Sequence, residues 1–281
     1  MKTMSVVELI DQAGKEGRLS LSEAESKRLL RVYGIPVVDE FVAATEDDAV
    51  LTAGAMGFPV VLKGLGARLT HKTERGLVKV NLKSVEEVRK AYRIIRDSAG
   101  GDWEACLIQP CIEGKREFVA GLFRDPQFGP CVMFGLGGIF TEALNDVTFR
   151  IAPLTEAQAC AMMGEITSRK LLDDFRGEAP ADREQILQTL MGLSELGLDH
   201  PEIKEVDINP LIIMPDGQVK AVDALVVLDE NNQSSLNGKP DEKAMGERSA
   251  EIRAALDTMV NAKSVAVVGA ARPGVSGFPG M

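Results

Sequence analysis

The chain has 281 residues, 45% of them apolar, and 32 Lys plus Arg against 42 Asp plus Glu, a formal net charge of −10 at pH 7. At roughly 100–200 residues per domain this is one large domain or two smaller ones, with enough core to fold without disulfide staples. An acidic surface gives a phosphate backbone no footing, so no nucleic-acid partner is expected, and an anionic ligand must be held by local cations, helix N-termini or a bound metal.

The four cysteines, Cys106, Cys111, Cys131 and Cys160, form no CxxC pair and lack the histidines of a zinc site, so they read as reduced core residues. The N-terminal stretch carries acids among its apolar residues, and no apolar run approaches the roughly 20 residues of a membrane span. A cytoplasmic protein with no membrane partner is expected.

Helical spacing covers 5–16 and 22–33, the second opening on Ser22 as N-cap and closing at Gly34 with Pro36 beyond. An extended stretch follows at 37–43, then a helix at 46–56 ended by Gly57, strands Pro59–Lys63 and Leu77–Leu82, and a helix at 84–96. These make a first α/β lobe. Beyond Gly100-Gly101-Asp102, the β-rich runs Ala105–Gln109, Arg116–Phe123 and Pro130–Phe134 and helices at 155–163 and 182–198 make a second.

The run from Glu205 to Leu228 reads as a hairpin. Pro215 suits position i+1 of a type I turn and Gly217 the left-handed residue of a three-residue loop, which pairs Met214 with Gln218 and sets Asn209 opposite Asp223. Alternation then places Glu205, Asp207 and Asn209 on one polar face. Residues 230–243 are too polar to order and read as a linker; a helix at 247–260 leads to Lys263–Gly277, which looks like the first strand and Gly turn of a doubly wound nucleotide-binding domain.

Several residues carry chemistry on this reading. Asp223 lies in AVDALVVL, a strand expected to be buried on both faces, where a carboxylate needs a positive partner. An oxygen pair with Asn209 suits Mg²⁺, with waters and substrate phosphates filling the other positions; a salt bridge to a nearby Lys or Arg suits the residues equally. Lys63 ends FPVVLK and precedes a Gly-rich loop holding Arg68, Lys72 and Arg75, which matches neither GxxxxGK[ST] nor GxGxxG. Backbone and cations there suit phosphate, although a strand-end lysine more often snorkels to solvent. His71 in that loop is a solvated histidine or a phosphoryl acceptor; His200, before Pro201, reads as a surface-turn residue. Three glycines in Gly135–Glu142 allow close backbone approach or a tight turn, while Glu117 and Arg150 are placed at the mouth of a cleft between lobes.

Five ordered motifs, VVLKGLGARLTHKTERG, CLIQPCIEGKREFVAG, RDPQFGPCVMFGLGGIFTEAL, TFRIAPL and EVDINPLIIMPDGQVKAVDA, together resemble the ATP-grasp domain of the nucleoside-diphosphate-forming acyl-CoA synthetases, the family of the ADP-forming acetate–CoA ligases. The resemblance spans about 5–228, and Lys263–Gly277 resembles the opening of that family's CoA-binding domain. It implies an ATP-grasp fold of two α/β lobes around the nucleotide: 1–102 and 103–228 as the lobes, 229–246 as linker, and 247–281 as the start of a CoA-binding domain. It also implies ATP or ADP and Mg²⁺ as ligands, with Lys63 on the phosphates, Gln109 and Ile112 at the adenine hinge, Glu117 at the ribose, and Asn209 and Asp223 on the metal. His71, in the His71-Lys72 pair, becomes the residue that passes a phosphoryl group to ADP. Acyl-CoA, phosphate and carboxylic acid would be handled by CoA-binding and CoA-ligase parts on a partner. One departure is ERGLVKV, where the family often has two consecutive glycines.

Overall fold

A computed structural model describes residues 5–66, 75–138 and 144–229, all within the compact unit Met1–Gln233. The loop histidine, the glycine segment beyond Gly138, the expected linker and the expected elements at 247–281 lie outside the described residues.

Local chemistry sets the helix boundaries. Ser5 and Ser22 start α1 (Val6–Lys15) and α2 (Glu23–Val32) with capping boxes, each hydroxyl accepting from the backbone of Glu8 or Glu25 while that glutamate accepts from the cap's own N–H. Thr45 and Ser84 cap α3 (Glu46–Met56) and α4 (Val85–Ala99). Gly57 follows α3 with a φ of 86°, as expected from the sequence. Thr155 and Asp182 cap α5 (Glu156–Glu165) and α6 (Arg183–Asp199).

Two antiparallel sheets share the strands. The smaller has β1 (Phe41–Ala43), β2 (Val60–Leu65), β3 (Val78–Leu82) and β4 (Ala105–Pro110) in the order β1-β4-β2-β3. The larger has β5 (Arg116–Asp125), β6 (Gly129–Leu136), β7 (Val147–Ile151), β8 (Ile203–Ile213) and β10 (Ala224–Leu228) in the order β10-β8-β5-β6-β7, with β9 (Val219–Ala221) also on β8. One core lies between the small sheet and α3 and α4 and contains Val60, Leu62, Val88, Ile95, Cys106 and Ile108. The other joins the large sheet to α1, α2, α5 and α6 through residues such as Ile10, Leu30, Phe118, Val132, Met162 and Leu193.

The lobe boundary expected at 102/103 is corrected on two counts. Strand β4 pairs with β1 and β2, so the chain leaves the small sheet only after Pro110. The leading helices bury Ile10, Ala13, Leu29 and Leu30 in the large-lobe core, although they precede the small lobe in sequence. Segment 19–26 also covers the edge of β10: Leu21 N–H donates to Val226 O at 3.0 Å, Leu228 N–H to Leu19 O at 2.8 Å, and Val226 N–H to Ser26 Oγ at 3.2 Å. An edge strand is thereby closed to foreign pairing.

The four cysteines are unpaired by disulfides, but only Cys106 and Cys131 are buried; Cys160 is exposed. His200, expected on a surface turn, is 8% exposed at the end of α6, its Nδ1 2.8 Å from Glu202 and its ring edge-on to Tyr33. No described helix is long and apolar enough to cross a membrane.

Candidate functional site

The hairpin register follows from its turn. Met214 N–H donates to Gln218 O at 2.8 Å, Gly217 N–H to Met214 O at 2.9 Å, and Gly217 has a φ of 91°. Leu211 pairs with Ala221 and Ile208 with Ala224, so the same register on both sides of a break sets Asn209 across from Asp223. Pro210 has no N–H for the ladder, and Val222 N–H instead donates to Pro210 O at 3.1 Å.

Alternation sorts the large sheet into two faces. Phe118, Ala120, Val206, Ile208, Ala224 and Val226 point into the core. Glu117, Glu205, Asp207, Asn209 and Asp223 therefore share the opposite face. That face is acidic, and its charges act on one another: burial pushes the Asp207 carboxyl up to about 6, with Glu205 and Asp223 adding in the same direction.

The small sheet divides in the same way. Val60, Leu62, Cys106 and Ile108 enter its core, leaving Val61, Lys63, Leu107 and Gln109 on the other side, where Val61 lies across from Gln109 and Lys63 from Leu107. Lys63 is 5% exposed and does not snorkel. Its Nζ lies 2.5 Å from Glu23 Oε1 on α2 and 3.4 Å from both Val222 O and Asp223 Oδ2 on the hairpin. The two faces meet at this ammonium. Burial is the largest influence on it and opposes its charge, but Glu23 and Asp223 together outweigh burial and hold its pKa above the ordinary lysine range.

Asp223 departs from expectation. Its side chain is 47% exposed rather than buried, because the strand breaks at 222–223 and β10 alternates outward at Leu225. Both alternatives left open by the sequence meet here: the carboxylate has a lysine partner at 3.4 Å and faces the Asn209 position. Arg150 reaches Glu165 on α5 at 2.5 Å, which ties it to the far edge strand β7 and not to this site. Arg75 lies 3.9 Å from Asp102, and His71 lies outside the described residues.

The connection between sheets, residues 111–115, carries Ile112 half-buried and runs tightly along β8: a Cβ on Gly114 would stand 2.3 Å from Ile212 Cγ2 and 2.7 Å from Ile213 O. Glu117 follows it, half-buried, with Gly137 N–H donating to its carbonyl at 2.9 Å. A Cβ on Gly138 would lie 2.7 Å from Glu117 Oε2. The glycines after β6 thus serve close approach to the Glu117 strand.

Sequence reasoning passed over the charged residues Glu23 and Lys27 of α2. Lys27 is 1% exposed and donates to Glu23 at 2.8 Å, Glu40 at 2.7 Å and Gln109 at 2.9 Å. Glu23 is 5% exposed, and burial raises the Glu40 carboxyl even though Lys27 opposes the shift. The signal was the i,i+4 pair Glu23/Lys27 on the helix face that also carries Ser26 and Leu30. Gln109, expected at an adenine hinge, accepts from Lys27 with its side-chain oxygen at 2.9 Å.

Among the described residues, the two polar faces bring Lys63 of the small sheet against an amide and several carboxylates of the large one. These are hard oxygen donors of the kind Mg²⁺ accepts, and Asn209 with Asp223 leaves room for waters and phosphate oxygens. Among the described residues, no group of three or more His, Cys, Asp and Glu gathers as a metal cage. A divalent ion bound here would offset the charge of this acidic face against a polyphosphate.

A family model described as an ATP-grasp domain matches residues 12–228. The β subunit of acetate–CoA ligase [ADP-forming] I of Pyrococcus furiosus is 43% identical over 226 residues, 79% of this chain and 97% of that one. A solved chain of the dinucleotide-forming acetyl-coenzyme A synthetase 1 of Ca. Korarchaeum cryptofilum, in complex with coenzyme A, Ca-AMPCP and HgCl+, superposes with a TM-score of 0.76 at 45% identity over 80% of this chain and 100% of that one. Another structure of that synthetase, with coenzyme A and Mg-AMPPCP and its phosphohistidine segment pointing towards the nucleotide binding site, gives 0.71 at 44% identity over 80% and 100%.

Proposed function

The chain belongs to the ATP-grasp family, among the β subunits of ADP-forming acetate–CoA ligases, and from that premise we propose that it is the nucleotide-handling part of such an enzyme. The overall reaction is acyl-CoA + ADP + phosphate ⇌ carboxylic acid + CoA + ATP. The observation that carries the reading is Lys63 reaching out of the small sheet to within 3.4 Å of Asp223, whose strand faces Asn209.

In this reading the nucleotide lies between the two polar faces. Lys63 binds its phosphates, the backbone from Gln109 to Ile112 lines the base, and Glu117 accepts from the ribose hydroxyls. Asn209 and Asp223 would hold Mg²⁺, which supplies positive charge against the phosphates when bound. Lys63, already held as an ammonium by its neighbours, stabilises the transferring phosphoryl group from the other side. His71 is the proposed carrier, a role that comes from the family resemblance. The N–P bond to its imidazole breaks as a β-phosphate oxygen of ADP bonds to phosphorus, and the imidazole is left neutral.

Acyl-CoA, phosphate and the acid are proposed to be handled by a CoA-binding partner, since one relative is a β subunit and the solved synthetase is a complex with coenzyme A. The test combines this chain with the CoA-ligase part of a relative and follows ATP formation from acetyl-CoA, ADP and phosphate. Wild type should make ATP and His71→Asn should not; ATP formation at the wild-type rate by His71→Asn would remove the histidine from the relay.

A further inference from the structure

Buried ammonium and carboxylate groups gather around one helix, α2. Two carboxylates, Glu23 and Glu40, balance two lysines, Lys27 and Lys63, and Glu23 Oε1 is shared by both ammonium groups at 2.8 and 2.5 Å. Helix α2 belongs to the large-lobe core through Leu29 and Leu30, whereas Lys63 and Gln109 belong to the small sheet. One turn of one helix therefore reaches the phosphate lysine through Glu23 and the hinge strand through Lys27.

We propose that Glu23 is a positioning residue that fixes the Lys63 ammonium for phosphate, keeping its grip while the hairpin contacts give way; this rests on the nucleotide reading above. An ammonium has three donors, and those of Lys63 are shared among Glu23, Val222 O and Asp223. The contact at 2.5 Å is a short charge-assisted bond, while those at 3.4 Å lie beyond ordinary hydrogen-bond length. An arriving phosphate oxygen displaces the weakly held partners first. Glu23 is itself held in place by Lys27 and by its position in the first turn of a capped helix, where a negative charge is favoured. A carboxylate anchored on both counts defines where the ammonium can point.

The experiment compares MgADP with adenosine on the full chain by calorimetric and NMR titration, for wild type, Glu23→Gln and the charge-balanced Glu23→Gln/Lys27→Met. The double variant removes one buried charge of each sign, so it keeps the balance that the single variant upsets. Loss of a charged hydrogen bond to the ammonium should weaken MgADP about tenfold in both variants, with adenosine affinity unchanged in Glu23→Gln. A scaffold role would weaken both ligands together in Glu23→Gln, and that result, or unchanged MgADP affinity, overturns the inference. Should neither variant fold, the crystal structure of wild type with MgADP decides: Lys63 within hydrogen-bond distance of both Glu23 and a phosphate oxygen supports it, and Lys63 withdrawn from Glu23 refutes it. Wild type that binds no MgADP overturns the nucleotide reading itself; wild-type binding with Glu23→Gln unaltered overturns this inference alone.

Discussion

Replacing Lys27 with methionine keeps most of the volume of the side chain and removes its charge. The residue is 1% exposed, so its three acceptors cannot turn to water in compensation. Glu23 retains Lys63, but Glu40, whose side chain is 8% exposed, loses the cation at 2.7 Å. Breaking one side of a buried pair costs about 3–5 kcal/mol, which for a domain of this size lowers Tm by about 6–20 °C. The penalty should depend on pH. Burial already raises the Glu40 carboxyl, and without Lys27 it rises further. A carboxyl whose folded pKa exceeds its unfolded one subtracts stability as pH climbs past the unfolded value, so the cost of Lys27→Met is largest at neutral pH and shrinks as pH falls and Glu40 takes up its proton. Urea unfolding of both proteins at about pH 5 and about pH 7.5 measures this. A variant within about 1 kcal/mol of wild type at neutral pH, or a difference independent of pH, would refute the description of Lys27 as a buried counter-ion.

Other outcomes follow from single contacts. Gly217→Ala places a Cβ 2.2 Å from Pro180 O at a φ of 91° and should cost at least about 1–3 kcal/mol, whereas Gly54→Ala, in α3 with nothing within 4 Å, should gain about 0.5–1 kcal/mol; chemical denaturation compares the two. Ser22→Ala removes the α2 cap and should cost about 1 kcal/mol in the same assay. A thiol reagent on the folded protein should label exposed Cys160 readily and spare Cys106, whose thiol burial pushes up to about 12, until the chain is unfolded; peptide mapping reads the order.

Features governed by near neighbours were legible in the sequence. Ser22, Gly57 and Gly217 act within a few residues of themselves, so α2, the end of α3 and the hairpin register, with Asn209 across from Asp223, could be read directly. Features set by distant pairing were not. Ala105–Pro110 follows the glycine break, yet its hydrogen-bond partners are Phe41–Ala43 and Val60–Leu65. Helices α1 and α2 precede the small lobe but bury their apolar faces against the large one. At the site, Lys63 was identified by its strand end, while the ammonium's burial depends on Glu23, forty residues earlier. Asp223 looked buried because its neighbours are apolar; a two-residue break in the strand exposes it. His200 looked exposed because it precedes a proline, and the packing of Tyr33 and Glu202 covers it.

The most direct test of nucleotide handling is titration of ADP into the folded chain with and without Mg²⁺, for wild type and Asp223→Ala. Wild type should bind ADP tightly only when Mg²⁺ is present, and Asp223→Ala should lose that dependence while its melting curve stays cooperative. Binding by wild type that ignores Mg²⁺, or an Asp223→Ala isotherm that overlays the wild type, would contradict the account.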